Sequence, residues 1–432
     1  MKIVFVNRFF YPDHSATSQM LSDVAFALAE RGHSVSVITS KLRYDGDGRP
    51  LPRREVVRGV NVVRIATSGY GRGGLMGRSI DYVTFYFAAA WAVIWHIRRG
   101  DIVVGMTDPP LLSIVLLPIT WVRGARLVNW LQDIFPETAS ALGFSQGVMS
   151  RALFAGLRFL RDLSLTSAAH SVVIGQRMAQ RVEALGVARN RISVIHNWAD
   201  GAAIFPIDPD RNELRRAWGL DRAFVVGYSG NLGRAHDVGT LIAAIERVEA
   251  GAEPGRGPVR WLIIGGGVQS SVLREAAAKK GLKSLRFEPY QPRERLAESL
   301  SVADIHLVSL KPELEGLIVP SKFYGIAAAG RPAIFIGDAD GEIARILKQA
   351  CAGVVVEQGD ADGLTSAVLA AAQDAETTSV KGVAARRFFE ASFDLPRAVE
   401  AWEGVLVAVR GGGLEDASAD KGTSHIPVED AN

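Results

Sequence analysis

The stretch Val319–Pro332 reads VPSKFYGIAAAGRP and runs directly into a strand-like segment, Ala333-Ile334-Phe335-Ile336. Pro320 fits the first turn of a helix, where its missing N–H would have no partner and its φ is already helical. The free N–H groups of such a turn carry about half a positive charge and bind anions. Lys322, beside Ser321, adds a full charge at the same place, and Gly330 and Pro332 end the helix. An ordinary capped helix between strands has the same spacing, so this segment alone does not decide between phosphate binding and structure.

A second loop of the same kind lies roughly ninety residues earlier. Phe224-Val-Val-Gly-Tyr228 is a β-branched run that ends in Ser229-Gly230-Asn231-Leu232-Gly233-Arg234, and a helical pattern follows through Val238, Leu241, Ile242 and Ile245. Glycines at a strand end let backbone approach a ligand, and Arg234 offers a bidentate fork to phosphate oxygens. Tight turns alone also use such glycines. A third strand, Trp261–Ile264, runs into Gly265, Gly266 and Gly267. In a parallel sheet all three loops lie at the carboxyl ends of strands, where α/β folds bind ligands, so one nucleoside diphosphate can touch them all.

The rest of the chain extends this alternation. Strands are expected at Ile3–Val6, Ser34–Ile38, Val60–Ile65, Ile102–Val104 and Arg126–Asn129, with a helix over Ser15–Arg31. The pattern restarts at Phe224 after a Pro- and Asp-rich joint, Asn197–Asp210, and continues through strands at Leu285–Phe287, Ile305–Val308, Ala333–Ile336 and Val354–Val356. Helices separating short strands imply parallel βαβ units. The expected division is a first domain over 1–200, a second over 201–395, a final helix over 396–410 and a polar, disordered tail over 411–432.

A chain of 432 residues with 48% apolar and 22% charged residues is globular and long enough for two cores. The net charge of +3 is too small to argue for nucleic acid, and there is no zinc spacing or aromatic RNA-binding pattern. The single cysteine, Cys351, excludes an internal disulfide or cysteine cluster and reads as a packing residue. Met1-Lys2 leads straight into a strand with no signal peptide, so a cytoplasmic location is expected.

Two segments, Asp81–Ile97 (DYVTFYFAAAWAVIWHI) and Leu111–Val122 (LLSIVLLPITWV), are more apolar than a solvent-facing helix requires, yet neither makes a convincing span. Buried helices packed on a sheet are the competing reading. Nearby, Arg151, Arg158 and Arg161 alternate with Leu153, Phe154, Leu157, Phe159 and Leu160, a basic amphipathic helix suited to an anionic lipid surface. The expectation is therefore monotopic attachment to the inner leaflet of the cell membrane.

The motifs, taken in order, resemble a known family. They are YPDHSATSQ at Tyr11–Gln19, RGHSVSVIT at Arg31–Thr39, WLQDIFPE at Trp130–Glu137, VIHNWAD at Val194–Asp200, SGNLGR at Ser229–Arg234, ADIHLVSL at Ala303–Leu310 and VPSKFYG followed by AAGRP. Nearly the whole chain, to about Arg410, is similar to the retaining, family-4-like bacterial glycosyltransferases that build capsule, O-antigen and colanic acid. The resemblance implies a GT-B fold, two Rossmann-like doubly wound α/β domains facing across a cleft, with the last helix crossing back onto the first domain. It also implies a nucleotide-sugar donor, a UDP-sugar by preference, and a lipid-linked saccharide acceptor.

The chain departs from that family at four positions. The family usually has two glutamates eight positions apart, the second gripping the donor ribose, where this chain has Leu317 and Gly325. Glu313 and Glu315 lie close by but out of register. The glycine turn usually continues with Arg and, five residues on, Lys, where this chain has Asn231 and His236; Arg234 can replace one charge.

The leaving group implied is a nucleoside diphosphate, so the largest electrostatic task is to stabilise charge on its β-phosphate. Lys322 and Arg234 are the candidates, with Ser229, Gly230, Asn231, Gly265 and Ser321 as donor-loop contacts and Tyr290 and Gln291 placed for the base. No cofactor is expected, and no paired-aspartate motif for a metal stands out. Asp133 falls at the carboxyl edge after Arg126–Asn129 and can orient or deprotonate an acceptor hydroxyl; a helix cap is the structural alternative. Glu137 is a second choice, His14 and Ser15 can face acceptor or donor phosphate, and Glu342 can contact the donor sugar or lie at a helix start. A nucleotide-sugar 2-epimerase of the same architecture, or a scaffold that has lost turnover, are the alternatives. A dinucleotide oxidoreductase is rejected because Asn7-Arg8-Phe9-Phe10, not a glycine fingerprint, follows the first strand.

Overall fold

The structure is a computed structural model and describes residues 1–43, 51–71, 74–144, 148–251 and 257–412; the expected tail lies outside the described residues from 413 onward. The first sheet comprises β1 (Lys2–Val6), β2 (Ser34–Ser40), β3 (Arg54–Val57), β4 (Val60–Ile65), β5 (Ile102–Met106), β6 (Arg126–Leu131), β7 (His170–Val173) and β8 (Ile192–Val194), in the order β3-β4-β2-β1-β5-β6-β7-β8. Only β3 runs antiparallel, paired to β4. The second sheet comprises β9 (Phe224–Ser229), β10 (Val259–Ile264), β11 (Leu285–Glu288), β12 (Ile305–Ser309), β13 (Ala333–Ile336) and β14 (Gly353–Val356), ordered β11-β10-β9-β12-β13-β14 and parallel throughout.

Both sheets reverse their winding once, between β1 and β5 and between β9 and β12. Loops leaving these strands open a crevice at the carboxyl edge, because connections on either side of the reversal depart in opposite directions. The two doubly wound sheets anticipated from the motif order are thus present, with β3, β7 and β8 added. β3 escapes a search for βαβ units because it is a hairpin edge strand with alternating exposure.

The chain ends by returning to the first domain. The Leu395–Gly411 helix packs on the Ala16–Glu30 helix and buries Trp402, whose ring lies 4.4 Å from that of Trp130 on β6; Trp198 stacks on Trp130 at 5.9 Å. Glu403 accepts from Arg31 and His33 at 2.6 and 2.7 Å beside this contact. A second apolar core continues across the domain boundary. Ile134, Val173 and Met178 from the first domain pack in one cluster with Leu314, Phe323 and Ile343 from the second.

Three helices, Leu75–His96, Leu112–Arg123 and Val148–Ser167, cover one face of the first sheet. Phe85, Ala89, Val93 and Leu116 turn inward to the core. The buried-helix reading therefore holds for only one side of Leu75–His96. Its other side exposes Met76, Ile80, Val83, Phe87, Trp91 and Trp95, with Phe87 75%, Trp91 69% and Trp95 68% accessible. Steps of three and four residues keep these side chains on one stripe. Trp121 and Phe159 on the two neighbouring helices are also exposed.

Candidate active site

The donor loops are built by backbone geometry that only glycine supplies. Gly230 ends β9 at φ +119° and Gly265 ends β10 at φ +115°, both in the region L side chains avoid. A Cβ on Gly265 would also lie 2.5 Å from the Gly230 carbonyl oxygen, so the loops close on each other. The Gly230 N–H donates to the Ile264 carbonyl at 2.9 Å and the Leu232 N–H to that of Gly266 at 2.7 Å.

Lys322 rises beneath this pair of loops, its Cε 3.8 Å from where a Cβ of Gly230 would stand. Its ammonium donates to the Tyr228 hydroxyl, lies 3.9 Å from the centre of the Tyr228 ring, and is 3.5 Å from Nε2 of His236. No carboxylate lies within ion-pair distance of it among the described residues. Burial pushes the ammonium down to about 7, well below the usual lysine range. The helix starts at Lys322, with Ser321 as N-cap, so the expected first turn at Pro320 is corrected: that proline sits before the cap. Its carbonyl still accepts from the Phe323 N–H at 3.3 Å, so the proline adjoins the first turn without belonging to the helix.

Other donor-side candidates separate. Arg234 is exposed, with its guanidinium 5.5 Å over the Phe144 ring of the first domain, a contact that reaches across the cleft. The Tyr290 ring covers the glycine loop, its edge 3.0 Å from the position a Cβ of Gly265 would take. Gln291 donates to the Pro289 carbonyl at 3.0 Å; Asn231 is exposed, and the Ser229 hydroxyl is buried without a partner.

Glu342 is a correction. It is 4% exposed, and its carboxylate accepts from the Arg177 N–H at 3.0 Å, on the first turn of the Gln176–Ala184 helix of the other domain. His196 Nδ1 lies 3.7 Å away, and a Cβ on Gly175 would meet the carboxyl carbon at 2.7 Å. Held there, Glu342 clamps the domains and is not free to meet a donor sugar. Glu315 is used the same way: buried, it accepts from the Glu342 N–H at 2.8 Å and caps the Glu342–Ala350 helix. A side chain at Gly325 would point at Leu300 and Ile204, at 3.4 and 3.9 Å, an apolar setting.

Across the cleft, Asp133 lies in the loop after β6. One of its oxygens is buried without a hydrogen-bond partner, and Thr107 contacts the carboxylate; burial raises it to about 6, with the Thr107 bond opposing. Asp108, in the loop after β5, is likewise pushed up to about 6 by burial, against Arg8 and with Asp133 and Asp13 adding repulsion. The sequence reading missed Asp108 and Arg8, although each directly follows a core strand at the reversal. Ser15 caps the Ala16–Glu30 helix, its N–H donating to Asp13 at 2.8 Å, and His14 is exposed.

Glu137 and Arg161 are corrected as well. Glu137 receives two 2.8 Å bonds from the Arg161 guanidinium, a bidentate pair, while Arg161 is 5% exposed and also bonds Asp162 and the Phe135 carbonyl. That occupies the acid and hides the base, so neither the acceptor role nor the lipid role stands for them.

The two sides of the cleft are joined by backbone. The Ile134 N–H donates to the Leu317 carbonyl at 3.0 Å, and Asp133 bridges to Ile318, four residues before Lys322. The loop that carries Asp133 is thereby tied to the segment that leads into Lys322.

Residues 16–198 match the family described as glycosyl transferase 4-like domain, and residues 223–374 match glycosyl transferases group 1. The chain is 26% identical over 277 residues to the probable glycosyltransferase WbjE of Pseudomonas aeruginosa, covering 64% of this chain and 67% of that one. It is 24% identical over 355 residues to the putative colanic acid biosynthesis glycosyl transferase WcaI of Escherichia coli K12, covering 80% and 86%. Among solved structures, Anabaena HepE in complex with UDP superposes with a TM-score of 0.69 at 15% identity, over 94% of this chain and all of HepE.

The Lys322 ammonium carries a pH prediction. A diphosphate bound against it favours the charged form, so binding takes up a proton once the free amine has begun to deprotonate. Affinity for a nucleoside diphosphate is expected to fall as pH rises from 7 to 9, by up to about tenfold per unit, above the range where the phosphate itself titrates near about 6. Calorimetry across this range checks it; a flat profile in the parent, or the same slope in Lys322→Met, overturns the assignment.

Proposed function

From a chain that belongs to the GT-B-fold glycosyltransferases, we propose an enzyme that moves a sugar, with retention of configuration, from a nucleoside-diphosphate sugar to a lipid-linked or growing cell-surface polysaccharide. The observation that carries this reading is the Lys322 ammonium, held under the Gly230 loop by neutral partners. An anion completes that charge, and the HepE complex makes UDP the favoured nucleotide.

In the transfer the acceptor oxygen bonds to the anomeric carbon while the bond from that carbon to the β-phosphate oxygen breaks, and the electron pair leaves with the diphosphate. Lys322 donates to the leaving group as its charge grows. Asp133 accepts the hydrogen bond and proton of the acceptor hydroxyl. A covalent glycosyl-enzyme would need a free carboxylate by the donor sugar, and Glu315 and Glu342 are both engaged as caps, which favours a single front-side displacement.

The lipid-linked acceptor and the membrane rest on the aromatic stripe. Phe87, Trp91 and Trp95 stand exposed with Trp121 and Phe159 beside them, and exposed Arg78, Arg98, Arg99 and Arg151 flank the layer. No helix among the described residues is long and apolar enough to cross a membrane. Such a face lies in the headgroup region of an anionic leaflet, its aromatics in the acyl boundary. Compared with the basic-helix expectation, the main contact moves to Leu75–His96. The attachment proposed is peripheral, on the cytoplasmic leaflet.

Nucleotide release from a panel of sugar nucleotides, with and without membrane extract, tests the activity. Extract-dependent release is expected; release without acceptor indicates the 2-epimerase, and binding without release indicates a scaffold. Asp133→Asn should lower turnover by roughly a hundredfold or more at unchanged donor affinity, and the parent kcat/KM should fall as pH drops through about 6, where Asp133 gains its proton. Full turnover in the variant would remove Asp133 from the chemistry. Separately, Phe87, Trp91 and Trp95 all changed to Ser should weaken partition onto anionic vesicles by roughly a hundredfold, read by co-sedimentation. Unchanged partition contradicts the membrane face.

A further inference from the structure

His236 stands where the related glycine turns place a cation, and the structure gives it a different task. Its Nδ1 lies 2.6 Å from the Ser309 carbonyl oxygen, which can only accept, so Nδ1 carries the proton and Nε2 presents a lone pair. That lone pair faces the Lys322 ammonium at 3.5 Å. The Tyr228 hydroxyl completes the cradle: it donates to the Asn231 carbonyl at 3.0 Å and therefore accepts from Lys322 with its remaining lone pair. The two rings meet edge to face, 5.9 Å between centroids.

We propose that His236 is a positioning residue, a neutral acceptor that aims the Lys322 ammonium at the donor diphosphate without touching the donor itself. This rests on the donor-site reading above. Burial, with Lys322 next to it, pushes the imidazole down to about 3, opposed by the carbonyls of Ser309 and Asn231 and joined by Lys311, so the ring is neutral at neutral pH. A protonated ring would repel the ammonium; a neutral one holds it. Lysine has three rotatable donors on a flexible stem. With two of them directed to Tyr228 and His236, the third is left for a phosphate oxygen.

The test is a double-mutant cycle on UDP affinity, with uridine as the control ligand. His236→Ala should weaken UDP binding by about tenfold, the range for losing a hydrogen bond to a charged group, and leave uridine binding unchanged. His236→Gln, which returns an acceptor near Nε2, should recover most of the loss. In a Lys322→Ala background His236→Ala should have no further effect on UDP, because it acts only through the lysine. The proposal is overturned if His236→Ala weakens UDP equally in both backgrounds, which means direct contact. It is also overturned if UDP and uridine weaken together, which means a structural role, or if nothing changes. If the alanine variant does not fold, His236→Phe keeps the ring without the acceptor and takes its place in the cycle. Should Lys322→Ala alone leave UDP affinity intact, the donor-site reading itself fails, an outcome distinct from these.

Discussion

The buried carboxylate of Glu342 is the constraint on which the cleft depends. A charge that is 4% exposed must be satisfied by fixed donors, because an unpaired buried carboxylate is far costlier than an exposed one. Glu342 finds its donor in the other domain, on the first turn of the Gln176–Ala184 helix, while Glu315 caps the helix that Glu342 begins. The two acids form a relay of caps from the second domain to the first. The apolar cluster running from Ile134 to Ile343 packs along the same boundary. Together they set the distance between the loops after β6 and those after β9, which is the geometry a transfer between two bound sugars requires.

Within that frame the charges are divided. The second domain offers a cation with no carboxylate at ion-pair distance among the described residues, and the first offers carboxylates, Asp133 and Asp108, that burial raises to about 6. In the proposed transfer one side takes the leaving diphosphate and the other the attacking hydroxyl. The aromatic layer belongs to the first domain, on the sheet face opposite the returning Leu395–Gly411 helix. In the reaction proposed above, a lipid-linked sugar that reaches the Asp133 loop from that layer stays within the first domain, and the nucleotide sugar is held by the second.

Much of this was legible in the sequence because it is local. Strand ends running into glycines, as at Ser229-Gly230 and Ile264-Gly265, announce close-packed loops within six residues, and the parallel sheets follow from the alternation of strand and helix. What was not legible depends on partners far along the chain. Glu342 reads as a free acid at a carboxyl edge until Arg177, 165 positions earlier, is seen to hold it. Glu137 and Arg161 each carry a plausible surface role until they meet, 24 positions apart, in a bidentate pair. Composition showed that Asp81–Ile97 is apolar; which face lay against the sheet needed the sheet.

The most direct measurement is a crystal structure of the protein with UDP bound. The β-phosphate is expected within hydrogen-bond distance of Lys322 Nζ and against the Gly230 backbone, with Glu342 still on Arg177. A diphosphate bound instead at Arg234, with Lys322 still held only by Tyr228 and His236, contradicts it.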